Sequence, residues 1–256
     1  MQYIKSFNNY IKISVISIAM LYLVFLYSDF TGVYSLVPTY ILKYICIILS
    51  FSITLAYSRS YLNKKDLFLI RAALFFTLVS DFFLVVENKF ILGVMFFCIV
   101  QFFHTLRYSR NSVYIVILRF SISFLTIFSI YILLNFADKK IDIIIPLALF
   151  YFTCLLTSVY FSITAFKKRL FPLPNNVLIV MGMTLFLLCD INVGIFNITP
   201  MIDSNYWIVK FLYSLSSNLI WFFYAPSQLF LAISGIDFGS SHPINKQRPI
   251  NKQYEH

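Results

Sequence analysis

The chain is short of charge. Asp, Glu, Lys and Arg make up 12% of its 256 residues, against about 25% in an ordinary soluble domain. Only ten residues are acidic, and no long polar stretch interrupts the chain ahead of its C-terminal tail, so no soluble domain is visible. Histidine is scarce too. Of three, only His104 lies in an apolar segment, and no Glu or Cys stands near it at ligand spacing, so no metal site is expected. The four cysteines (Cys46, Cys98, Cys154 and Cys189) also lack metal-like spacing and read as small buried hydrophobes. G-x-S-x-G, a phosphate-binding glycine loop and H-E-x-x-H are all missing, which argues against a serine-hydrolase elbow, an ATPase and a zincin. No A-x-A-like site follows the first apolar run, so that run is expected to be a span and not a cleaved signal.

What remains is hydrophobic. Apolar residues make up 60% of the chain, and the mean hydropathy is +0.84. This predicts an all-α, polytopic membrane protein with the bilayer as solvent. A spanning helix needs ~20 apolar residues at ~1.5 Å each. Eight stretches qualify: 11–28, 36–57, 67–86, 90–107, 113–135, 142–166, 175–196 and 206–234. Their connections are short, such as "ENK" and "FKKRLFPLP". Pro226 is expected to kink the last stretch or end its regular part. Residues 1–239 are expected to form one eight-span domain, and 240–256 a flexible polar tail.

The net charge of +10 does not point to nucleic acid, because the basic residues sit in short loops between spans. With the N-terminus inside, the inner segments hold Lys5, Lys12, Arg59, Lys64, Lys65, Arg71, Arg107, Arg110, Lys167, Lys168, Arg169, Lys246, Arg248 and Lys252. The outer loops hold Lys89, Lys139 and Lys140. This asymmetry predicts cytoplasmic N- and C-termini in a cell membrane of the bacterial inner-membrane type. Lys43, Arg119 and Lys210 lie inside spans near their ends and are expected to snorkel.

Two carboxylates stand in apolar runs, Asp81 in "TLVSDFFLVV" and Asp190 in "TLFLLCDINVG". They are 109 positions apart, each about 15 residues into an inside-to-outside span, the third and the seventh. This hints at two four-helix halves in parallel orientation. A charge near a bilayer centre costs roughly 2.5–3.5 kcal/mol, so such residues usually face the bundle interior and carry function. One reading makes each Asp a structural partner of Arg119 or Lys210. The other makes each a titratable group, since a carboxyl removed from water can hold a proton near neutral pH. His104 shares a helix face with Gln101 and Tyr108; it is either a bonded interfacial histidine or part of a site. Tyr224 and Gln228 flank Pro226 on one face and could satisfy backbone groups that proline frees, or line a site. Asn192 is a further polar candidate.

The run "ALFFTLVSDFFLVVENKFILGVMFFCIVQFFHTLRY" resembles the third and fourth spans of the YhhN-like family, which includes the lysoplasmalogenases. The matching positions are Ser80-Asp81, Leu84, Phe90, Gly93, His104 and Tyr108. Cys189-Asp190 resembles the family's second small-Asp pair, and Tyr224 with Gln228 its pattern in the last span. The family usually has Gly and Ser where this chain has Ser80 and Cys189. Both replacements are small and still permit close helix approach. The resemblance covers roughly residues 40 to 234. It implies hydrolysis of the vinyl ether bond of a lysoplasmalogen to a fatty aldehyde and a glycerophospho-ethanolamine or -choline. Asp81 and Asp190 would act as the acid/base pair. His104, Tyr108, Gln101, Tyr224, Gln228 and Asn192 would orient water, glycerol and head group, without metal or cofactor. The partners implied are a lysophospholipid and the bilayer. On straight helices, however, Asp81 lies ~9 Å from the outer end of its span and His104 ~21 Å from the outer end of its own. Two other classes fit the same carboxylates: a transporter or proton-coupled carrier that uses them as a relay, and a scaffold that uses them only to pair helices.

Overall fold

Hydrocarbon offers no partner for a bare peptide group, so a chain this apolar must satisfy its backbone within helices or a closed barrel. The computed structural model describes residues 2–33, 37–56, 61–109, 113–137, 140–202 and 206–238. It is built of eight helices, with no strand among the described residues. They are α1 (Gln2–Thr31), α2 (Thr39–Leu55), α3 (Lys64–Asp81), α4 (Phe90–Ser109), α5 (Val113–Phe136), α6 (Ile144–Lys167), α7 (Asn175–Ile198) and α8 (Trp207–Ile233). Six of them (α1, α3, α4, α5, α6 and α7) have the length and apolar composition of a membrane span. The second expected span is an apolar helix of 17 residues. The eighth runs 27 residues but carries Lys210, Asn218, Gln228 and several serines. The expected polar tail at 240–256 lies outside the described residues.

The helices pack in a pattern that maps onto itself when four is added to each helix number. α1 lies on α2, α2 on α3 and α3 on α4; α5 lies on α6, α6 on α7 and α7 on α8. Across the two sets, α2–α8 answers α6–α4, and α1–α8 answers α5–α4. Only the backbone approach of α3 to α8 has no counterpart among the described residues. This supports the two four-helix halves expected from the spacing of Asp81 and Asp190. Helix α5 is the outlier in burial: of its residues only Val116 is buried.

Pro226 does not end the regular part of α8, for the helix continues to Ile233. The reason is visible at the carbonyl that proline strands. Residue 226 has no N–H to give to Phe222, and the Tyr22 hydroxyl of α1 donates to the Phe222 carbonyl at 2.9 Å. The partner is therefore a tyrosine from the far end of the sequence, not Tyr224 or Gln228.

At the end of the bundle where α3 begins and α4 ends, a buried ion pair joins the helices. Arg107 donates to Asp66 through Nε at 2.8 Å and Nη2 at 3.1 Å, and to Ser234 Oγ at 2.8 Å. Asn175, opening α7, donates to the Ser234 carbonyl at 2.9 Å. Asn63 caps α3 by accepting from the Asp66 N–H at 2.8 Å. Four helix ends thus share one polar knot. Read from the sequence, Arg107 is an ordinary interfacial charge; in the structure it is 3% exposed and Asp66 5%.

Two outcomes follow for stability, both measured by unfolding in detergent. Asp66→Ala leaves a buried guanidinium without its carboxylate and is expected to cost about 3–5 kcal/mol. Tyr22→Phe strips the Phe222 carbonyl of its donor and is expected to cost about 1 kcal/mol.

Candidate active site

Asp81 ends the α-helical part of α3, where the helix widens into a π-helical turn, Phe82–Val86. The turn is held against α4 by two contacts. Ser80 Oγ donates to the Gly93 carbonyl at 2.6 Å. The Leu84 side chain seats on Gly93, where a Cβ would come within 2.4 Å of it. No larger residue leaves that seat open, so glycine here sets how closely α3 and α4 approach beside Asp81.

Each carboxyl group has a phenol. Tyr224 of α8 donates to Asp81 Oδ2 at 2.7 Å, and Tyr151 of α6 donates to Asp190 Oδ2. One ring joins the two pairs. Phe97 of α4 lies 5.7 Å from the Tyr151 ring and 6.4 Å from the Tyr224 ring, centroid to centroid. Phe186 of α7 touches both Phe97 and Tyr224, at 5.8 and 5.6 Å. Asp81 is buried and Asp190 partly so. Neither forms an ion pair among the described residues. Lys210 is exposed, and the Arg119 guanidinium sits over Phe161, 5.3 Å from its centroid. The reading of the aspartates as partners of Arg119 or Lys210 therefore does not describe this packing. Lys43, also expected to snorkel, instead pairs with Asp29 at 2.8 Å.

The other expected residues divide. Gln228 lies one turn beyond Tyr224 on α8 and Gln101 one turn beyond Phe97 on α4, both fully buried. His104 Nδ1 and the Tyr108 hydroxyl are 3.0 Å apart, with the rings stacked. His104 is seven residues past Phe97, ~10 Å of helix rise, so it meets Tyr108 beside Arg107 and bonds to neither carboxyl group. The depth difference computed from the sequence is thus present in the fold. Both amide atoms of Gln101, His104 Nε2 and Gln228 Oε1 are buried without a protein partner. An unmet buried polar atom costs about 1–3 kcal/mol; among the described residues the only others are the side-chain oxygens of Asn175 and Asn176, where α7 begins. Asn192 turns away, donating to the Leu188 carbonyl of its own helix at 2.7 Å.

Tyr151 is the partner that sequence reading missed. α6 carries two tyrosines, Tyr151 and Tyr160, in equally apolar surroundings. Only packing separates them, with Tyr151 at 9% exposure and Tyr160 at 63%.

A family model, the YhhN family, matches residues 39–235. The chain belongs to the YhhN family. The matched region runs from the start of α2 past the end of α8, so both carboxyl–phenol pairs of this YhhN-family chain fall inside it, while α1 precedes it. No curated protein and no solved structure matches the chain.

The Asp81–Tyr224 bond is the tie that most directly joins α3 to α8. Its strength is readable in a double-mutant cycle of Tyr224→Phe and Asp81→Asn, scored by unfolding. A coupling of about 1–2 kcal/mol is expected; strictly additive losses would show that the two side chains act independently.

Proposed function

We propose that this YhhN-family protein hydrolyses the vinyl ether bond of a lysoplasmalogen, releasing a fatty aldehyde and a glycerophospho-ethanolamine or -choline. The observation that carries the proposal is that Asp81 and Asp190, on corresponding helices, are each held by a phenol, that both phenol rings meet the one ring of Phe97, and that neither carboxyl group has a cation partner among the described residues. Family membership supports the same reading.

The chemistry asks for such a pair. A proton must be delivered to the β-carbon of the vinyl ether, which leaves an oxocarbenium ion at the carbon bonded to oxygen. A carboxylate must stabilise that cation and take a proton from the water that attacks it. The water oxygen bonds to that carbon, giving a hemiacetal. The hemiacetal collapses as its hydroxyl returns a proton to the carboxylate that protonated the vinyl ether, and the bond to the glycerol oxygen breaks; that oxygen leaves as a hydroxyl carrying the proton the other carboxyl group took from water. Two carboxyl groups on different helices divide these roles as they do in glycosidases. Tyr151 and Tyr224 each occupy one lone pair of a carboxyl group and fix the direction of the other oxygen. The unpartnered polar atoms of Gln101, His104 and Gln228 suit the glycerol and phospho-head group, which are rich in donors and acceptors. On this reading the protein is a multi-pass enzyme of the cell membrane, one unit over residues 1–239, with cytoplasmic termini on the side of the Asp66–Arg107 pair.

The test is an aldehyde assay with purified protein, a lysoplasmalogen and the variants Asp81→Asn and Asp190→Asn. Each variant is expected to lose about 10²–10⁴-fold in rate. Parent-level release by both would sink the two-carboxylate mechanism. Proton flux in proteoliposomes without aldehyde release would favour the relay reading instead.

A further inference from the structure

Helix α5 is almost wholly exposed, yet it does not close flat against α6. Between them lies a cavity of about 500 Å³, within the ~300–1,000 Å³ range of ligand pockets. Its walls are mostly apolar. Arg119 and Ser123 of α5 and Thr153, Cys154, Thr157 and Phe161 of α6 mark its length.

Arg119 is the unusual member. It was expected to snorkel; in the structure its guanidinium lies on the neighbouring helix, over Phe161. Arg119 lies six residues past Val113, and Phe161 lies six before Lys167, each ~9 Å from the adjoining helix ends. Among the described residues it has no acidic partner. The threonine hydroxyls do not compete with it as donors, since Thr157 gives its proton to the Thr153 carbonyl and Thr153 to that of Leu149. A guanidinium held sideways in an apolar groove presents a planar fork of N–H donors, the geometry that fits a phosphate bidentately. The apolar walls beyond it suit a single hydrocarbon chain.

The groove also leads somewhere. Cys154, at its inner wall, is one turn from Tyr151 on α6, and Tyr151 donates to Asp190.

We propose that the α5–α6 groove binds a lysophospholipid from the bilayer, with Arg119 gripping its phosphate and the chain lying between the two helices toward Tyr151. That the groove is the substrate's entry rests on the hydrolysis proposed above; the phosphate contact does not.

The experiment is a binding titration by native mass spectrometry on the full chain in neutral detergent. The probes are an acyl lysophosphatidylethanolamine, which has no vinyl ether to cleave, a monoacylglycerol of the same chain length, and inorganic phosphate as competitor. Arg119→Gln is expected to weaken lysophosphatidylethanolamine binding about tenfold or more and to leave monoacylglycerol binding unchanged. Arg119→Lys should fall between Arg119→Gln and the parent. Ser123→Phe, which fills the groove, should weaken both lipids. Parent-like binding of the phospholipid by Arg119→Gln would overturn the proposal, as would equal loss of both lipids in that variant. Displacement of the lipid by millimolar inorganic phosphate would overturn the assignment to lipid. Because binding is read without turnover, failure of aldehyde release would defeat the hydrolase reading and leave the phosphate contact standing.

Discussion

A hydrogen-bonding group placed in hydrocarbon has only the protein to turn to. That constraint organises this bundle more visibly than apolar packing does, since lipid is as good an apolar neighbour as another helix. It explains why Tyr22 reaches across to the Phe222 carbonyl, and why Arg107 gathers Asp66 and Ser234 at one knot of helix ends. It also explains why Asp81 and Asp190 have each been given a phenol. Against that record of satisfaction, bare atoms remain among the described residues on Asn175 and Asn176 at the start of α7 and on Gln101, His104 and Gln228. The last three lie on the helices that also carry Phe97 and Tyr224. The places where a fold leaves its own rule unmet are the places to look for function.

The near-repeat of the helix packing gives the site its form. Corresponding helices α3 and α7 each bring one aspartate to similar depth. The phenols do not come from corresponding helices, for Asp81 is met from α8 and Asp190 from α6. The symmetry is therefore broken at the two carboxyl–phenol pairs. The α3–α8 approach, which has no counterpart between α7 and α4 at backbone distance, is where Tyr224 finds Asp81. Two equal carboxyl groups placed in unequal surroundings are what a division between proton donor and base requires.

Much of this was legible from the sequence. Eight apolar stretches fixed eight helices, because length and composition leave few alternatives in a bilayer. Asp81 and Asp190 announced themselves by cost, and Tyr224 by its place beside a proline. What the sequence could not reveal are partnerships across helices. Tyr151 is one of 18 tyrosines, and nothing local marks it as the one facing Asp190. Asp66 and Arg107 look like ordinary charges at a membrane surface until the fold buries them together. Arg119 looked able to reach the interface, and nothing local in the sequence shows that its guanidinium meets the Phe161 ring of α6. The continuity of α8 through Pro226 was hidden for the same reason, as the group that makes it tolerable is 200 positions away.

That last distance bears on where the molecule begins. The region shared with the family starts at residue 39, after α1, so α1 is peripheral by the measure of sequence likeness. By the measure of hydrogen bonding it is not, since Tyr22 closes the gap that Pro226 opens in the last helix, and Phe25 packs its ring against Trp221 at 6.1 Å. A chain trimmed to its shared core would keep every residue of the candidate site and leave the Phe222 carbonyl, two residues before Tyr224, without its donor. The inherited boundary and the physical boundary of this protein do not coincide, and the first helix belongs to the second.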